Sequence, residues 1–342
     1  MFEDIYILYL LLKYKVNLID RLELFSEFKE YVKEKGPLFI KLLQTFLINQ
    51  YQFEDKFSEE ELNKLNEILD NVNYENLDSD FRVGTGSVAT VCFNENKDKV
   101  IKKIFPNIEE KIEKSTIDFI KMINLSKFFI TDLSIDEDSI LEFKKLLLIQ
   151  TDLELEAKNM KKMADILNCE DIKVPRVYKI NSSRIKMEYI DGLKFNDFIK
   201  KYPEKASHCK GLLFKSIRKM VDNKFVHGDL HEGNFLFKFD KYNKLILYII
   251  DYGIVFKLND DQQKLFYNYF VSDKDKILFY YKMSNKSVKF EEFEKYFVMY
   301  EKKTTFEIFE IMKKNKVKFN FYYTTFLVGL NNLKVKLDKI KT

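Results

Sequence analysis

Two short stretches in the second half of the sequence carry carboxylate and amide side chains at a spacing that suits phosphoryl transfer. Residues 227–234 read His-Gly-Asp-Leu-His-Glu-Gly-Asn, and Asp251 ends an apolar run and begins the triplet Asp-Tyr-Gly. Transfer of a phosphoryl group requires a carboxylate beside the attacking hydroxyl and oxygen ligands for magnesium. We therefore predict Asp229 as the catalytic base, Asp251 as the main metal ligand and Asn234 as the second.

The same spacing is found in kinases, whose catalytic loop has Asp and Asn five residues apart and whose magnesium motif is Asp-Phe-Gly. Here Tyr252 takes the place of the usual Phe, and we expect the packing to be preserved. The helical spacing of His227 and His231 also suits two metal ligands. The sequence lacks the third ligand and the Glu of a zincin site, which argues against this alternative. We favour a structural histidine that hydrogen-bonds the loop.

A glycine-containing segment is a candidate nucleotide-binding loop. Residues 84–91 read Gly-Thr-Gly-Ser-Val-Ala-Thr-Val. They match the kinase pattern Gly-x-Gly-x-x-Gly-x-Val, except that alanine takes the third glycine position. Glycines let backbone N–H groups approach phosphates without an intervening Cβ. An ordinary hairpin turn remains the alternative, and the lysine eleven residues further on favours the nucleotide loop. The predicted nucleotide-binding residues of this loop are Gly84, Gly86, Ser87, Ala89 and Val91.

A lysine and a carboxylate are predicted to hold the phosphates. Lys102 and Lys103 are adjacent in a strand-like run, so they point to opposite faces, and we predict that Lys102 faces the nucleotide. A lysine in this role needs a carboxylate partner from a helix. Apolar residues at helical spacing between positions 149 and 164 form a stripe with Glu156 in its middle, where an unpaired carboxylate is costly. We therefore predict that Glu156 pairs with Lys102; the alternative is that the helix exposes Glu156.

The hydrophobic patterns predict an α+β fold in three parts. Residues 1–79 form a helical extension, in which Gly36-Pro37 separates two helices and the four residues beginning at Ser58 have the form of a capping box. Residues 80–190 form a small β-rich lobe with a helical insertion. Residues 191–342 form a mainly helical lobe that carries the catalytic and metal-binding loops.

With these residues identified, the chain resembles the UbiB family of atypical kinases, also called aarF-domain kinases. Residues 36–44 look like its signature Gly-Pro-x-Phe-x-Lys-x-Gly-Gln, and residues 152–159 are similar to its Glu-x-Asp-x-x-x-Glu-Ala-x-Asn helix. Residues 174–178 and 187–192 together look like the family's segment that leads into the hinge between the two lobes, here called the hinge approach. Residues 227–234 are close to its loop His-x-Asp-Pro-His-Pro-Gly-Asn. The resemblance covers roughly residues 30 to 340, including the C-terminal stretch around residues 313–319.

The resemblance implies an atypical protein-kinase-like bilobal fold that uses ATP and Mg²⁺. It also implies that the N-terminal helices cover the active site, that Lys41 and Gln44 enter the nucleotide pocket, and that Glu188 in the hinge approach binds the nucleotide. Three departures stand out. Leu43 replaces the signature glycine, Gln150 replaces the first Glu of the Glu-x-Asp motif, and the family's alanine-rich nucleotide loop is glycine-rich here.

Bulk composition narrows the class of protein. The formal charge of +4, from 58 Lys plus Arg against 54 Asp plus Glu, points to no nucleic-acid partner. Three cysteines far apart in the sequence suggest a reducing compartment and no disulfide framework. No apolar run nears the ~18 residues of a membrane helix, and no targeting segment is visible. We expect a cytoplasmic protein, with peripheral membrane contact left open.

Three activities follow as candidates. The first is an ATP- and magnesium-dependent kinase or ATPase that acts on an unidentified protein, lipid or small-molecule acceptor. The second is a small-molecule phosphotransferase similar to aminoglycoside and choline kinases, against which Lys41 and Gln44 argue. The third is a nucleotide-binding pseudokinase scaffold. Retention of Lys102, Asp229, Asn234 and Asp251 disfavours it, and the departures at Gln150 and Leu43 keep it open.

Overall fold

The computed structural model describes residues 6, 9, 10, 12–14, 16–48, 58, 60, 61, 81–126, 137–268, 272–284, 286–298, 315 and 317. The chain separates into two compact units, Met1–Thr151 and Asp152–Thr342. The three-part division at residues 79/80 and 190/191 stays a prediction. The stretch 313–319 lies almost entirely outside the described residues.

Helices dominate the described part of the first unit, together with one antiparallel group of strands. The elements are α1 (Arg21–Lys35), α2 (Pro37–Ile48), β1 (Arg82–Thr85), β2 (Ala89–Phe93), β3 (Lys99–Ile104), α3 (Ile108–Ser126) and α4 (Glu137–Ile149). Strand β2 pairs antiparallel with both β1 and β3. The predicted strands around the nucleotide loop are therefore confirmed.

A single glycine ends α1 and allows α2 to begin at once. Gly36 has a φ of 92°, and its N–H donates to the Val32 carbonyl at 3.2 Å. Pro37 then occupies the first helical position, where its missing N–H has no cost. The next N–H, that of Leu38, donates to the Ser115 hydroxyl of α3 at 3.3 Å. The predicted break at Gly36-Pro37 is confirmed.

Aromatic and polar contacts fix α1 and α2 on α3. Phe39 lies edge-on to both Tyr31 and Phe119, with ring centroids 5.7 and 5.0 Å apart. The buried ammonium group of Lys35 lies 3.8 Å from a carboxylate oxygen of Asp118. These contacts tie the segment that carries Lys41 to the rest of the first unit.

The predicted capping box is also present. The Ser58 N–H donates to the Glu61 carboxylate at 2.7 Å, and the Glu61 N–H donates to the Ser58 hydroxyl at 3.2 Å. These reciprocal bonds satisfy two donors that the first turn of a helix leaves unpaired.

The second unit alternates short strands with helices. Its described elements are α5 (Leu153–Leu167), β4 (Ile172–Lys173), β5 (Val177–Asn181), β6 (Arg184–Glu188), β7 (Leu193–Lys194), α6 (Phe195–Lys201), α7 (Ala206–Asp222), β8 (Phe225–His227), β9 (Phe235–Phe239), β10 (Leu245–Ile249), β11 (Val255–Lys257), α8 (Asp260–Asn268), α9 (Asp273–Met283) and α10 (Phe290–Val298). In the described part of the chain, every helix is too short or too polar to span a bilayer.

Three strand groups organise this unit. Strands β5 and β6 form the predicted hairpin, whose turn is closed by a bond from the Ser183 N–H to the Asn181 side chain. A four-stranded sheet has the order β4-β10-β9-β7, with β10 parallel to β4 and antiparallel to β9. Strands β8 and β11 pair antiparallel, and this short pair brings residues 225–227 beside residues 255–257.

An aromatic cluster packs α6 against the four-stranded sheet. Phe198 lies 5.5 Å from the ring of Phe237 and 5.6 Å from the ring of Phe239. Because residues two apart on a strand share a face, both β9 rings point toward α6. This apolar layer supports β9 directly after the loop 227–234.

One predicted feature needs correction. The apolar stripe was expected to run from Ile149 through Glu156, but Ile149 ends α4 and the next helix, α5, begins at Leu153. Asp152 is the N-cap of α5, and its carboxylate accepts a bond from the Leu155 N–H at 2.8 Å. An Asp that caps a new helix breaks the continuity that periodicity alone suggests.

Replacing Gly36 by alanine should lower the free energy of unfolding by about 1–3 kcal/mol, because its φ of 92° and ψ of −156° lie in a region that only glycine adopts readily. The matched control is Gly211→Ala inside α7, where a new methyl group meets no atom within 4 Å. Alanine is favoured over glycine there by about 1 kcal/mol. Urea titration should therefore show a lower free energy of unfolding for Gly36→Ala and a higher one for Gly211→Ala. Equal changes in the two variants would contradict the backbone conformation of Gly36.

Candidate functional site

The buried side chain of His227 joins the catalytic loop to the strand that leads to Asp251. Its Nδ1 accepts a hydrogen bond from the Asp229 N–H at 3.1 Å. A ring nitrogen that accepts carries no proton, so the proton is on Nε2, which donates to the Ile250 carbonyl at 3.1 Å. The imidazole is therefore neutral and satisfied at both nitrogens, which confirms the predicted structural histidine.

The backbone at Gly228 also lies close to the segment that follows Asp251. The Gly228 N–H donates to the Ile254 carbonyl at 2.9 Å. A Cβ at Gly228 would lie 2.4 Å from a ring carbon of Phe256, far inside normal contact distance. Glycine is therefore required between His227 and Asp229 by packing.

The Asn234 side chain closes the loop from its other end. Its Nδ2 donates to the Asp229 carbonyl at 2.9 Å, and its backbone carbonyl accepts from the Ile250 N–H at 3.0 Å. The residue is 5% exposed, and no described residue donates to its Oδ1. A buried carbonyl oxygen without a donor is uncommon in proteins and suits a ligand.

Asp251, which follows Ile250 in the chain, has an unusual backbone conformation. Its φ is 61°, a value that non-glycine residues adopt rarely and often at functional sites. The following Tyr252 is fully buried, donates its hydroxyl to the Ile249 carbonyl at 3.0 Å and packs edge-on to His227. Burial raises the pKa of the Tyr252 phenol well above its usual value. The expected packing of Tyr in place of Phe is confirmed.

Helix α5 is tied to the same region through a residue whose role the sequence did not reveal. The Asn159 side chain donates to the Tyr252 carbonyl at 3.0 Å, and both residues are buried. Its only sequence signal was its place in the family's Glu-Ala-x-Asn helix. Glu156 on the same helix is 2% exposed, so the alternative that the helix exposes it is excluded.

Asp229 keeps its carboxylate partly open to solvent. Its side chain is 15% exposed, and one oxygen lies 3.8 Å from Nε2 of His231. The His231 Nδ1 accepts from the Gly233 N–H at 3.1 Å, so the proton of a neutral ring is on Nε2 and faces Asp229. His231 thus helps to shape the loop around the predicted base.

The donor set fits magnesium of the kind that binds with a nucleotide. Asp251 and Asn234 offer oxygen atoms, which Mg²⁺ prefers. Among the described residues, no group of three or more His, Cys, Asp or Glu side chains converges on one point. Two protein ligands are enough where phosphate oxygens and waters complete the coordination.

In the first unit the predicted nucleotide hairpin has a defined register. Val91 pairs with Lys102 and Ala89 pairs with Ile104, so Ala89, Val91 and Lys102 share one face. Strand alternation places Lys103 on the other face, as predicted. The pairing predicted for Lys102 and Glu156 joins residues of different units and stays a prediction.

The turn between β1 and β2 is closed by its own backbone. The Gly86 N–H donates to the Ala89 carbonyl at 2.8 Å, and the Thr90 hydroxyl donates to the Gly84 carbonyl at 3.2 Å. A Cβ at Gly84 would meet no atom within 4 Å, and one at Gly86 would make only an ordinary contact at 3.6 Å. Ser87 is buried within the turn. Neither glycine is required by the fold of this turn.

The remaining predicted residues have mixed surroundings. Lys41 and Gln44 are half-buried on α2, three residues apart, with Leu43 buried between them. The Glu188 carboxylate accepts from the Arg176 N–H at 3.1 Å. Burial and the nearby Glu188 charge raise the pKa of Tyr248. The roles of Lys41, Gln44 and Glu188 in nucleotide binding stay predictions.

Changing His227 to leucine should lower the free energy of unfolding by about 3 kcal/mol, because the Asp229 N–H and the Ile250 carbonyl would each lose a buried partner. The control is His208→Leu, since His208 is exposed on α7 and its side chain has no hydrogen bond to a described residue. Chemical denaturation measures both variants. A similar small loss of unfolding free energy in both variants would contradict the bridging role of His227.

Comparison with known proteins identifies related sequences. Residues 50–278 match the ABC1 atypical kinase-like domain. The probable serine/threonine-protein kinase abkC of Dictyostelium discoideum is 33% identical over 166 residues, which cover 45% of this chain and 24% of that protein. An ABC1 family mitochondrial protein of Saccharomyces cerevisiae is 27% identical over 226 residues, covering 54% and 34%. The probable protein kinase UbiB of Histophilus somni is 28% identical over 188 residues, covering 52% and 34%.

The matched regions span only 24% to 34% of the lengths of these three relatives. Among solved structures, Rv3197 of Mycobacterium tuberculosis in its erythromycin complex aligns with 77% of this chain and 73% of its own, at 17% identity. The TM-score of this alignment is 0.47, and nothing about the activity or the ligand of this chain is inferred from it. The family match confirms the resemblance to UbiB proteins. Because the match covers more than half of the sequence, this α+β chain belongs to the ABC1 atypical kinase-like family.

Proposed function

We propose that this protein is an ATP- and Mg²⁺-dependent phosphotransferase that transfers the terminal phosphoryl group of ATP to an unidentified acceptor. The observation that carries the proposal is the joined pair of loops 227–234 and 250–255. Backbone bonds and His227 hold them together. In the first loop no described residue donates to the buried Asn234 Oδ1, and in the second Asp251 has a left-handed backbone.

Asp251 and Asn234 would hold the metal in this proposal. Magnesium supplies neutralisation of phosphate charge when it is bound. The half-buried Asp229 would accept the proton of the attacking hydroxyl, since its carboxylate retains access to solvent. Nδ1 of His227 accepts from the Asp229 N–H, so the base would be positioned through its backbone.

Lys102 would contact the phosphates, with Glu156 as its partner. The burial of Glu156 supports this role because a buried carboxylate requires a partner. Ala89 and Val91 share the face of Lys102, as residues that cover a nucleotide would. Lys41, Gln44 and Glu188 would complete the nucleotide contacts that the family resemblance implies.

The glycines of the β1–β2 turn support a nucleotide loop over an ordinary hairpin turn. Neither Gly84 nor Gly86 has a positive φ, and neither is crowded by the protein. A glycine that the fold does not need is explained if phosphates approach the backbone from outside.

Asp229→Asn should retain Mg²⁺·ATP binding while ATP turnover falls at least about 100-fold, because a general base contributes that much or more. Asp251→Asn should lose the magnesium-dependent part of nucleotide binding. A thermal-shift assay and phosphate release, measured in parallel, separate the two effects.

The matched control for both variants is Asp165→Asn, an exposed position on α5. It should bind and turn over ATP like the original protein. Normal turnover by Asp251→Asn would refute the metal assignment. Binding without turnover in the unaltered protein would instead support a pseudokinase scaffold.

Gly86→Ala should leave the free energy of unfolding within about 0.5 kcal/mol of the original, as expected for an uncrowded surface site. Its KM for ATP should rise about tenfold, if the new methyl group costs about 1.4 kcal/mol of phosphate contact. Steady-state kinetics and urea titration test the two parts. An unchanged KM would favour an ordinary hairpin turn.

A further inference from the structure

A cavity lies wholly within the second unit, between α5 and the segment from β4 to β6. Its volume is about 960 Å³. Of the residues predicted to bind the nucleotide, Glu188 alone lines it. We propose that this cavity binds a small amphiphilic anion, in which a carboxylate or phosphate group is attached to an apolar body.

Four cationic side chains on two walls of the cavity support the anionic part. Lys158 and Lys161 come from α5, and Lys173 and Arg176 come from the opposite wall. None of the four side chains has an ion pair with any residue that the structure describes. Lys173 is half-buried and the other three cations are exposed, so all four can reach an anion that enters the cavity.

The carboxylates of the lining do not balance these charges. The cavity has Glu154 and Glu188 against the four cations. Glu188 is already engaged, because its carboxylate accepts the Arg176 N–H at 3.1 Å. The cavity therefore keeps an excess of positive charge.

The apolar lining supports the second part of the ligand. Between the charged groups the surface is formed by Met160, Val174, Val177, Ile180 and Tyr248, with Ala157 and Ala164 leaving space along the helix. Ile180 is 37% exposed, although most large aliphatic residues of this unit are buried. An alkyl or aromatic body would cover this surface and gain about 25 cal/mol for each Å² removed from water.

The size of the cavity favours a small molecule over a protein segment. Small-molecule sites are concave, mostly apolar and about 300–1,000 Å³ in volume, with a few polar groups that orient the ligand. Helix α5 also carries the buried Glu156 and Asn159 on its neighbouring face. A ligand held by Lys158 and Lys161 would therefore stabilise the helix that positions both residues.

Binding of octyl phosphate and of octanoate, each below its micelle-forming concentration, tests the proposal by isothermal titration calorimetry on the full chain. The two probes distinguish phosphate from carboxylate preference. Octanol lacks the charge and octyltrimethylammonium reverses it, so both should bind at least tenfold more weakly than the better anion.

Two charge-reversal variants, one on each wall, make the test specific. Lys158→Glu with Lys161→Glu, and separately Lys173→Glu with Arg176→Glu, should each raise the Kd of the better anion at least tenfold. The control pair is Lys114→Glu with Lys121→Glu, which are exposed on α3 and should leave the Kd unchanged. Thermal unfolding checks that each variant is folded.

Equal Kd values in the wall variants and the control pair would overturn the proposal. So would equal binding of octanol, the absence of binding by both anions, or binding of a hexaglutamate peptide in their place. The measurement needs no nucleotide, so failure of ATP turnover in this protein would leave its result intact.

Discussion

The buried imidazole of His227 is the constraint on which the candidate site depends. It accepts from the Asp229 N–H and donates to the Ile250 carbonyl, so one neutral ring sets the distance between the predicted base and the strand before Asp251. In a protein interior each of these groups would be costly if left unpaired. The loop and the strand end therefore have one favourable arrangement, which Gly228 permits by its lack of a Cβ.

That arrangement determines what the neighbouring residues can do. Asn234 uses its amide nitrogen within the loop, and no described residue donates to its oxygen, which is the predicted metal ligand. Tyr252 packs on His227 and presents its carbonyl to Asn159, which connects the same point to α5. The helix that buries Glu156 is thus tied by a hydrogen bond to the segment containing Asp251. The predicted metal ligand and the predicted base are thus connected by hydrogen bonds between side chains and the backbone.

Much of this could be predicted because it is encoded locally. The capping box at Ser58, the break at Gly36 and the hairpin turn at Asn181 each depend on residues within four positions of one another. What could not be predicted joins distant residues. The bond from Asn159 to Tyr252 spans 93 positions, and the pair β8–β11 consists of three-residue strands too short to give a periodic pattern. The stripe through Glu156 failed only at Ile149, because that residue ends one helix and the N-cap Asp152 begins the next.

The central claim is that Asp251 and Asn234 form a metal site that serves a nucleotide. Crystals of the protein grown with Mn²⁺ and ADP would test it directly through the anomalous scattering of manganese. We expect one strong peak about 2.2 Å from an Asp251 carboxylate oxygen and from Asn234 Oδ1, close to the oxygen distances of Mg²⁺. A nucleotide bound with its manganese away from both residues would contradict the account.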